Sequence, residues 1–331
     1  MAKGGKGYLT ILLLASAAMA AASVKQDADL ETGRRAYEAS DYAKAIQALQ
    51  AAAAKDPQNG DVYLLLAKSY LEMEQWDAAV KNGERVVAID LQNSIYHEWL
   101  GRAYGEKADH SGWPPTAISL AKKSRKEFET AVQLDERNFS ARQALIEFDC
   151  SAPGIVGGGE EKALPHIQRL AELDAAEGHY AKGNCRRQKK DLAAADQEFT
   201  KALESDPKSA ELIYDIGDYA VKQIQPDRLV AVASAGERVA PGDPRGHFYR
   251  GVALVLKQEN HVEAERLLLE YAEKGPTRNG YPRPAAAHAW LGRLFENQNR
   301  REDAVKEYET ALKLDPKNKM AQEALKRLKK R

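Results

Sequence analysis

The chain has 331 residues, with 49 Lys+Arg balanced by 49 Asp+Glu, 44% apolar residues and only 7% aromatic ones. That apolar share can fill a continuous core, and a composition rich in Ala and charge but poor in aromatics favours closely packed helices. A formal net charge of zero supplies no global field for nucleic acid, whose binders ordinarily carry a basic excess.

Residues 1–22 read as a secretory signal. Lys3 and Lys6 form a short positive region, Tyr8 to Ala18 is an apolar run centred on Leu12, Leu13 and Leu14, and small residues follow, with A-x-A cleavage choices after Ala20 or Ala22. No cysteine lies there to carry a lipid. The alternative is an uncleaved inner-membrane anchor, because the uncharged stretch Gly7 to Val24 approaches the about 20 residues a spanning helix needs. Either way the positive end stays inside and the rest of the chain is expected to be exported, periplasmic or secreted. No later segment is long and apolar enough to span a bilayer, so the mature chain is expected to have no membrane span.

From residue 23 onward one frame recurs. Its clearest copy is His288-x2-Leu291-Gly292-x2-Phe295, followed by Ala304-x3-Tyr308-x2-Ala311-x4-Pro316. Upstream, Tyr63-x2-Leu66-Ala67-x2-Tyr70 precedes Ala79 and Val86, and His97-x2-Leu100-Gly101-x2-Tyr104 precedes Phe128 and Ala131. Further copies centre on Gly33, Gly183, Gly217 and Gly251, with a weaker one over roughly Phe139 to Ala175. Each unit closes at a turn slot: Pro57, Leu91, Glu136, Ala175, Pro207, Pro241, Pro276 or Pro316. Small residues facing each other let two antiparallel helices approach, large ones fill the space between units, and Pro stops the second helix. This pattern resembles the tetratricopeptide repeat superfamily, whose period is about 34 residues. The likeness is greatest to exported bacterial members with a Pro-Gly…Gly-Gly loop in a central unit, here Ala152 to Gly159.

The resemblance implies an all-α fold: a tetratricopeptide-type α-solenoid of about eight helix-turn-helix repeats over residues 23–316. A capping helix over 317–331 would close it with Met320, Ala321, Ala324, Leu325 and Leu328. It also implies a protein or peptide partner. The basic and Asn pattern of members that clamp a C-terminal carboxylate is absent, so chaperone-tail binding is not implied.

Three insertions break the period, near 105–119, 151–159 and 277–284. The first two are expected to lie on one edge of the solenoid as neighbouring loops, the third on the opposite edge. The first holds Trp113, Pro114 and Pro115, the second Ile155 and Val156. Together they are expected to form a composite lip for a partner, with Trp113 as the anchor because Trp is favoured at binding hot spots. The alternative is that Trp113 folds back and seals an irregular joint. Gly157-Gly158-Gly159 is no phosphate loop, since no Gly-Lys-Ser/Thr follows and Glu160 and Glu161 would repel an anion.

On the concave face Arg34, Lys68 and Arg102 fall at equivalent positions, with Glu38, Glu72 and Glu106 four residues later. They read as intrahelical pairs or as a groove gripping an extended peptide. Tyr180, Arg187 and Tyr214 are further groove candidates, and Phe248, Val252 and Val255 make an apolar patch that is either a pocket or a packing site. His97, His179, His247 and His288 share one repeat slot, so a repeated packing role is expected and no metal site. Cys150 and Cys185 sit at similar depth on adjacent first helices, where an exported chain can form a disulfide; two free buried thiols are the alternative.

No catalytic fingerprint appears, and Asp109-His110-Ser111 reads as turn chemistry. The expectation is therefore a non-enzymatic scaffold or adaptor without cofactor, binding a protein or peptide partner in the cell envelope, with no nucleic-acid partner. The alternative is a binding subunit for an envelope polysaccharide or peptidoglycan.

Overall fold

The computed structural model describes residues 28–328, so the signal segment at 1–22 lies outside the described residues. Every regular element among them is helical. The chain divides into two compact units, one ending at Gly159 and the other beginning at Glu160.

The first unit holds three successive hairpins. They are α1 (28–38) with α2 (Tyr42–Lys55), α3 (Gly60–Glu72) with α4 (Trp76–Ile89), and α5 (Ser94–Asp109) with α6 (Pro114–Leu134). Helix α7 (Phe139–Ser151) and a 3-10 turn at Gly154–Val156 complete it. The second unit begins with α8 (Glu160–Leu173). Four hairpins follow: α9 (Ala175–Gln188) with α10 (Leu192–Glu204), α11 (Ala210–Lys222) with α12 (Pro226–Val239), α13 (Pro244–Lys257) with α14 (His261–Lys274), and α15 (Pro284–Asn297) with α16 (Arg301–Leu314). Helix α17 (Lys319–Leu328) closes the array, burying Ala321, Ala324 and Leu325 in the core shared with α15 and α16.

The repeat slots fold as their chemistry requires. A methyl group on Gly101 would stand 2.8 Å from the Phe128 ring, and one on Gly292 2.7 Å from Tyr308, so in these hairpins the first helix lies against a large ring of the second, while Gly33 and Gly251 face Leu49 and Leu268 in the same way. Side-chain caps start the first helices: Asn59, Asn93, Asn138, Asp174, Ser209 and Asp243 each accept a backbone N–H from the first turn. Inside most hairpins the chain reverses through a left-handed residue, Ser40, Glu74, Lys190, Ile224 or Asn299, and the α13–α14 turn uses two, Gln258 and Asn260.

The first insertion differs from expectation. Most of 105–119 is helix, and the loop between α5 and α6 shrinks to His110–Trp113. Helix α5 reaches 16 residues and α6 reaches 21, where their counterparts have 13 or 14. Pro114 and Pro115 occupy the first positions of α6, where a missing N–H costs nothing. Leu120 then extends the apolar stripe, packing with Tyr104 and Ala108 of α5. The third insertion is a true loop over residues 275–283 that folds onto its own unit: the Tyr271 hydroxyl donates to the Pro282 carbonyl at 2.6 Å, and Arg245 to that of Gly280 at 3.2 Å. Among the described residues no helix is long and apolar enough to cross a membrane.

Candidate partner-binding surfaces

The histidine slot has a common role in tying the two helices of a hairpin. His97 Nδ1 donates to Glu127 at 2.6 Å, His179 Nδ1 to Glu198 at 2.7 Å and His288 Nδ1 to Glu307 at 2.7 Å, while His247 Nδ1 lies 3.5 Å from Glu270. In the first three, the glutamate directly precedes the large ring of the second helix: Phe128, Phe199 and Tyr308. Glu198 also accepts from Lys182 and Lys201. Burial alone would raise its carboxyl, but the bonds from His179, Lys182 and Lys201 outweigh that and bring it down to about 2.

In the first unit, Arg34, Lys68 and Arg102 occupy α1, α3 and α5 at the position directly after the small slot. The expected pairing with Glu38 and Glu106 does not occur for the two arginines. Arg34 lies 3.5 Å from Glu31, and Arg102 donates to Glu98 at 3.1 Å and to Ser140 at 2.9 Å. A helix brings i−3 and i−4 neighbours as close as i+4, so the choice falls to tertiary surroundings: Glu98 is buried and is also held by Ser140 at 2.7 Å. Lys68 meets no carboxylate at ion-pair distance among the described residues. Its ammonium lies 4.3 Å from the centre of the Trp99 ring, and Arg102 lies 5.4 Å from the same ring. Burial lowers the Lys68 pKa, Glu98 opposes that, and Arg102 and Arg34 lower it further. Trp99 is the member of this group that the sequence reading missed; its signal was its place one residue before Leu100, three before Arg102.

The second unit treats its candidates differently. The Tyr180 hydroxyl donates to Asp215 at 3.0 Å, and Arg187 lies 3.4 Å from the same carboxylate. Burial, then the Asp215 charge, pushes the Tyr180 hydroxyl well above its usual pKa. Tyr214 is a correction. It is only 1% exposed, stacks on Tyr249 at 5.6 Å and is covered by the Arg245 guanidinium at 4.3 Å, so it belongs to the core and lines no groove. Arg245, itself 3% exposed, also meets the Tyr281 ring at 4.2 Å and Asp243 at 2.7 Å. Phe248, Val252 and Val255 are buried as well, which makes that patch a packing site.

The loop residues of the expected lip are only partly brought together. Trp113 is 66% exposed at the start of α6, with Pro114 and Pro115 exposed beside it, so it does not fold back to seal a joint. Ile155 is 66% exposed and Val156 is buried. Their turn, Gly154–Gly157, lies beside Lys122, Arg125, Lys126 and Glu129. At 1.5 Å per residue that is about 14–24 Å along α6 from Trp113. Arg125 organises this joint, donating twice to the fully buried Asp149 at 2.8 and 3.2 Å and packing over Gly157, whose φ of 102° suits glycine. The amides of Gly157, Gly158 and Gly159 donate to the carbonyls of Gly154, Pro153 and Asp149, so none points outward to an anion. His110 stacks on Trp76 at 4.6 Å. Cys150 on α7 and Cys185 on α9 are both buried, and neither is a free thiol.

Consecutive hairpins with small-residue seams, each burying its faces against its neighbours, define an α-solenoid of helical repeats. Residues 36–102, 176–209 and 285–318 match models of the tetratricopeptide repeat, and the chain belongs to the tetratricopeptide repeat superfamily. Proteins with these repeats bind protein partners, and the fold is typically that of a non-enzymatic scaffold. No curated protein matches the chain. Among solved structures it is similar to a thermophilic tetratricopeptide repeat protein of Thermus thermophilus, at 20% identity over 56% of this chain and 94% of that one, with a TM-score of 0.46. It is also similar to the C-terminal part of a repeat protein of Cytophaga hutchinsonii, at 16% identity over 89% and 99%, TM-score 0.42. A third likeness is to the structure titled as the APC/C hetero-tetramer Cut9–Hcn1, at 14% identity over 87% and 52%, TM-score 0.49.

Proposed function

We propose that the protein is an exported scaffold that holds a protein partner in the cell envelope. The observation that carries the binding half is the first-helix row of the first unit, where Lys68 and Trp99 are part-exposed and Lys68 has no carboxylate partner among the described residues. Export rests on the sequence of residues 1–22, a positive start, an apolar run and small residues. The Cys150–Cys185 bridge expected from the sequence belongs to the same reading, because an oxidising compartment preserves disulfides.

Fractionation of cells expressing the full chain tests export. The expected product lies outside the cytosol, with its N-terminus at Ala21 or Ser23, and has no titratable thiol when denatured without reductant. A full-length cytosolic product with two free thiols would refute it. Export with the N-terminus intact would instead support the inner-membrane anchor. A second reading, binding of an envelope polysaccharide or peptidoglycan, is favoured by the exposed Trp113 ring alone. Retention on purified peptidoglycan that is lost in Trp113→Ala would favour it over the protein-binding reading.

A further inference from the structure

In the second unit, the second helices α12 and α14 leave a cleft of about 850 Å³ between them, with α13 lining it as well. Ala233, Leu254 and Leu267 give it an apolar lining, and Val230 beside them is 43% exposed. Most of its charges are already paired. Arg238 meets Asp206, Lys257 meets Asp227, Arg266 meets Glu263 and Glu270, and His247 lies 3.5 Å from Glu270. Glu259 acts on Lys257 through space. Two exposed charges are left over: Glu237 on α12 and Arg250 on α13 meet no opposite charge at ion-pair distance among the described residues, and Arg250 reaches Glu263 only through space.

Gly246 marks the Glu237 end of the cleft. Beyond its own helix, a methyl group added there would meet within 4 Å only the Tyr214 hydroxyl at 3.5 Å and the Glu237 carboxylate at 3.8 Å. Tyr214 is 1% exposed, and its hydroxyl has no hydrogen-bond partner among the described residues. Leaving a buried hydroxyl unmade is unfavourable, and a cationic N–H donor above Gly246 would satisfy both oxygens after a small displacement. Arg250 and Leu254 follow Gly246 at four-residue steps along α13, each about 6 Å on.

We propose, resting on the protein-binding half of the reading above, that this cleft takes an amphipathic helix of a protein partner. A lysine of that helix meets Glu237 and the Tyr214 hydroxyl, a glutamate one turn on meets Arg250, and an apolar side chain a further turn on meets Val230 and Leu254. Side chains three or four residues apart on a helix repeat at this spacing. A helix also satisfies its own backbone groups, whereas the helices of the cleft use theirs internally and would leave those of an extended segment unpaired.

The test is a fluorescence-anisotropy titration of the full mature chain with a labelled helical Ala/Gln peptide carrying Lys, Glu and Leu at successive four-residue steps. The expected result is saturable binding that weakens as salt rises and is lost when a central proline breaks the peptide helix. Glu237→Gln and Arg250→Gln should each weaken binding about tenfold. Gly246→Ala should do the same, because its methyl group takes the place of the ammonium. Glu237→Lys should abolish binding, and exchanging the peptide's Lys for Glu should restore it. Circular dichroism melting should be unchanged in Glu237→Gln and Arg250→Gln. Absence of saturable binding, equal binding of the proline peptide, or undiminished binding by Glu237→Gln would each overturn the proposal. So would a dimer in sedimentation velocity that Glu237→Gln dissolves while no peptide binds, which assigns the cleft to a second copy of the chain. An envelope partner held equally well with Glu237 or Gln at that position overturns this inference and leaves the scaffold reading standing.

Discussion

The residue that follows the small slot differs in kind between the two units. In the first it is Arg34, Lys68 and Arg102; in the second it is Asn184, Asp218, Val252 and Arg293. The same backbone position thus presents a row of cations in one unit, whereas in the other only Arg293 is exposed. Val252 is fully buried, Asn184 is 8% exposed, and Asp218 accepts from the Tyr249 hydroxyl at 2.8 Å. Burial raises the Asp218 carboxyl, the Tyr249 bond opposes that, and neighbouring Asp215 adds to the rise. Repeats of one fold can therefore divide their labour: some display charge and some bury it as internal cement.

If the second unit is cemented in this way, its polar groups should govern stability. Arg245→Ala should have the largest effect. It strips the buried Asp243 of its partner and uncovers Tyr214 and Tyr281, for an expected loss of about 3–5 kcal/mol. Lys68→Gln, by contrast, should stay within about 0.5 kcal/mol of the parent. Chemical denaturation of the two variants checks both, and equal losses would erase the contrast between the units.

The next effect is the acid response of Glu198. Its folded carboxyl lies at about 2 against an ordinary 4.5, so its stabilisation is complete above pH 4.5 and fades as the pH falls toward 2. Glu198→Gln should cost about 2 kcal/mol at neutral pH, less than the full shift implies because Lys182 and Lys201 are half exposed. It should also flatten the stability profile between pH 4.5 and 2. Denaturant melts across that range read it directly.

The smallest effect is at a turn. Ile224 is β-branched and 60% exposed, yet holds a φ of 55°, where the equivalent turn of the first unit carries Glu74 at 56°. Ile224→Asn should stabilise by about 1 kcal/mol, seen as a rise in Tm, because Asn tolerates that backbone region.

The hairpin frame was legible in the sequence because its determinants are local: Gly183 against Phe199 and Gly292 against Tyr308 recur at the same spacing. The insertion near 105–119 was misjudged because Pro114-Pro115 reads equally as a loop and as the first turn of a helix, and only packing of Leu120 on α5 decides. Charge partners escaped for a similar reason. Helix periodicity permits Arg102 to reach Glu98 or Glu106, and Ser140, from another helix, fixes the outcome. Tyr214 was placed on the surface because the side chain that covers it, Arg245, comes from the following hairpin. Trp99 stayed hidden because its significance lies in Lys68, a residue of a different helix.

The contrast between a displayed row and a cemented one is tested most directly by hydroxyl-radical footprinting of the mature chain, with the oxidised positions mapped by mass spectrometry. Oxidation concentrated on α3 and α5, around Lys68 and Trp99, is the predicted result. Oxidation confined to α9 and α11, around Tyr180 and Asp215, would contradict it.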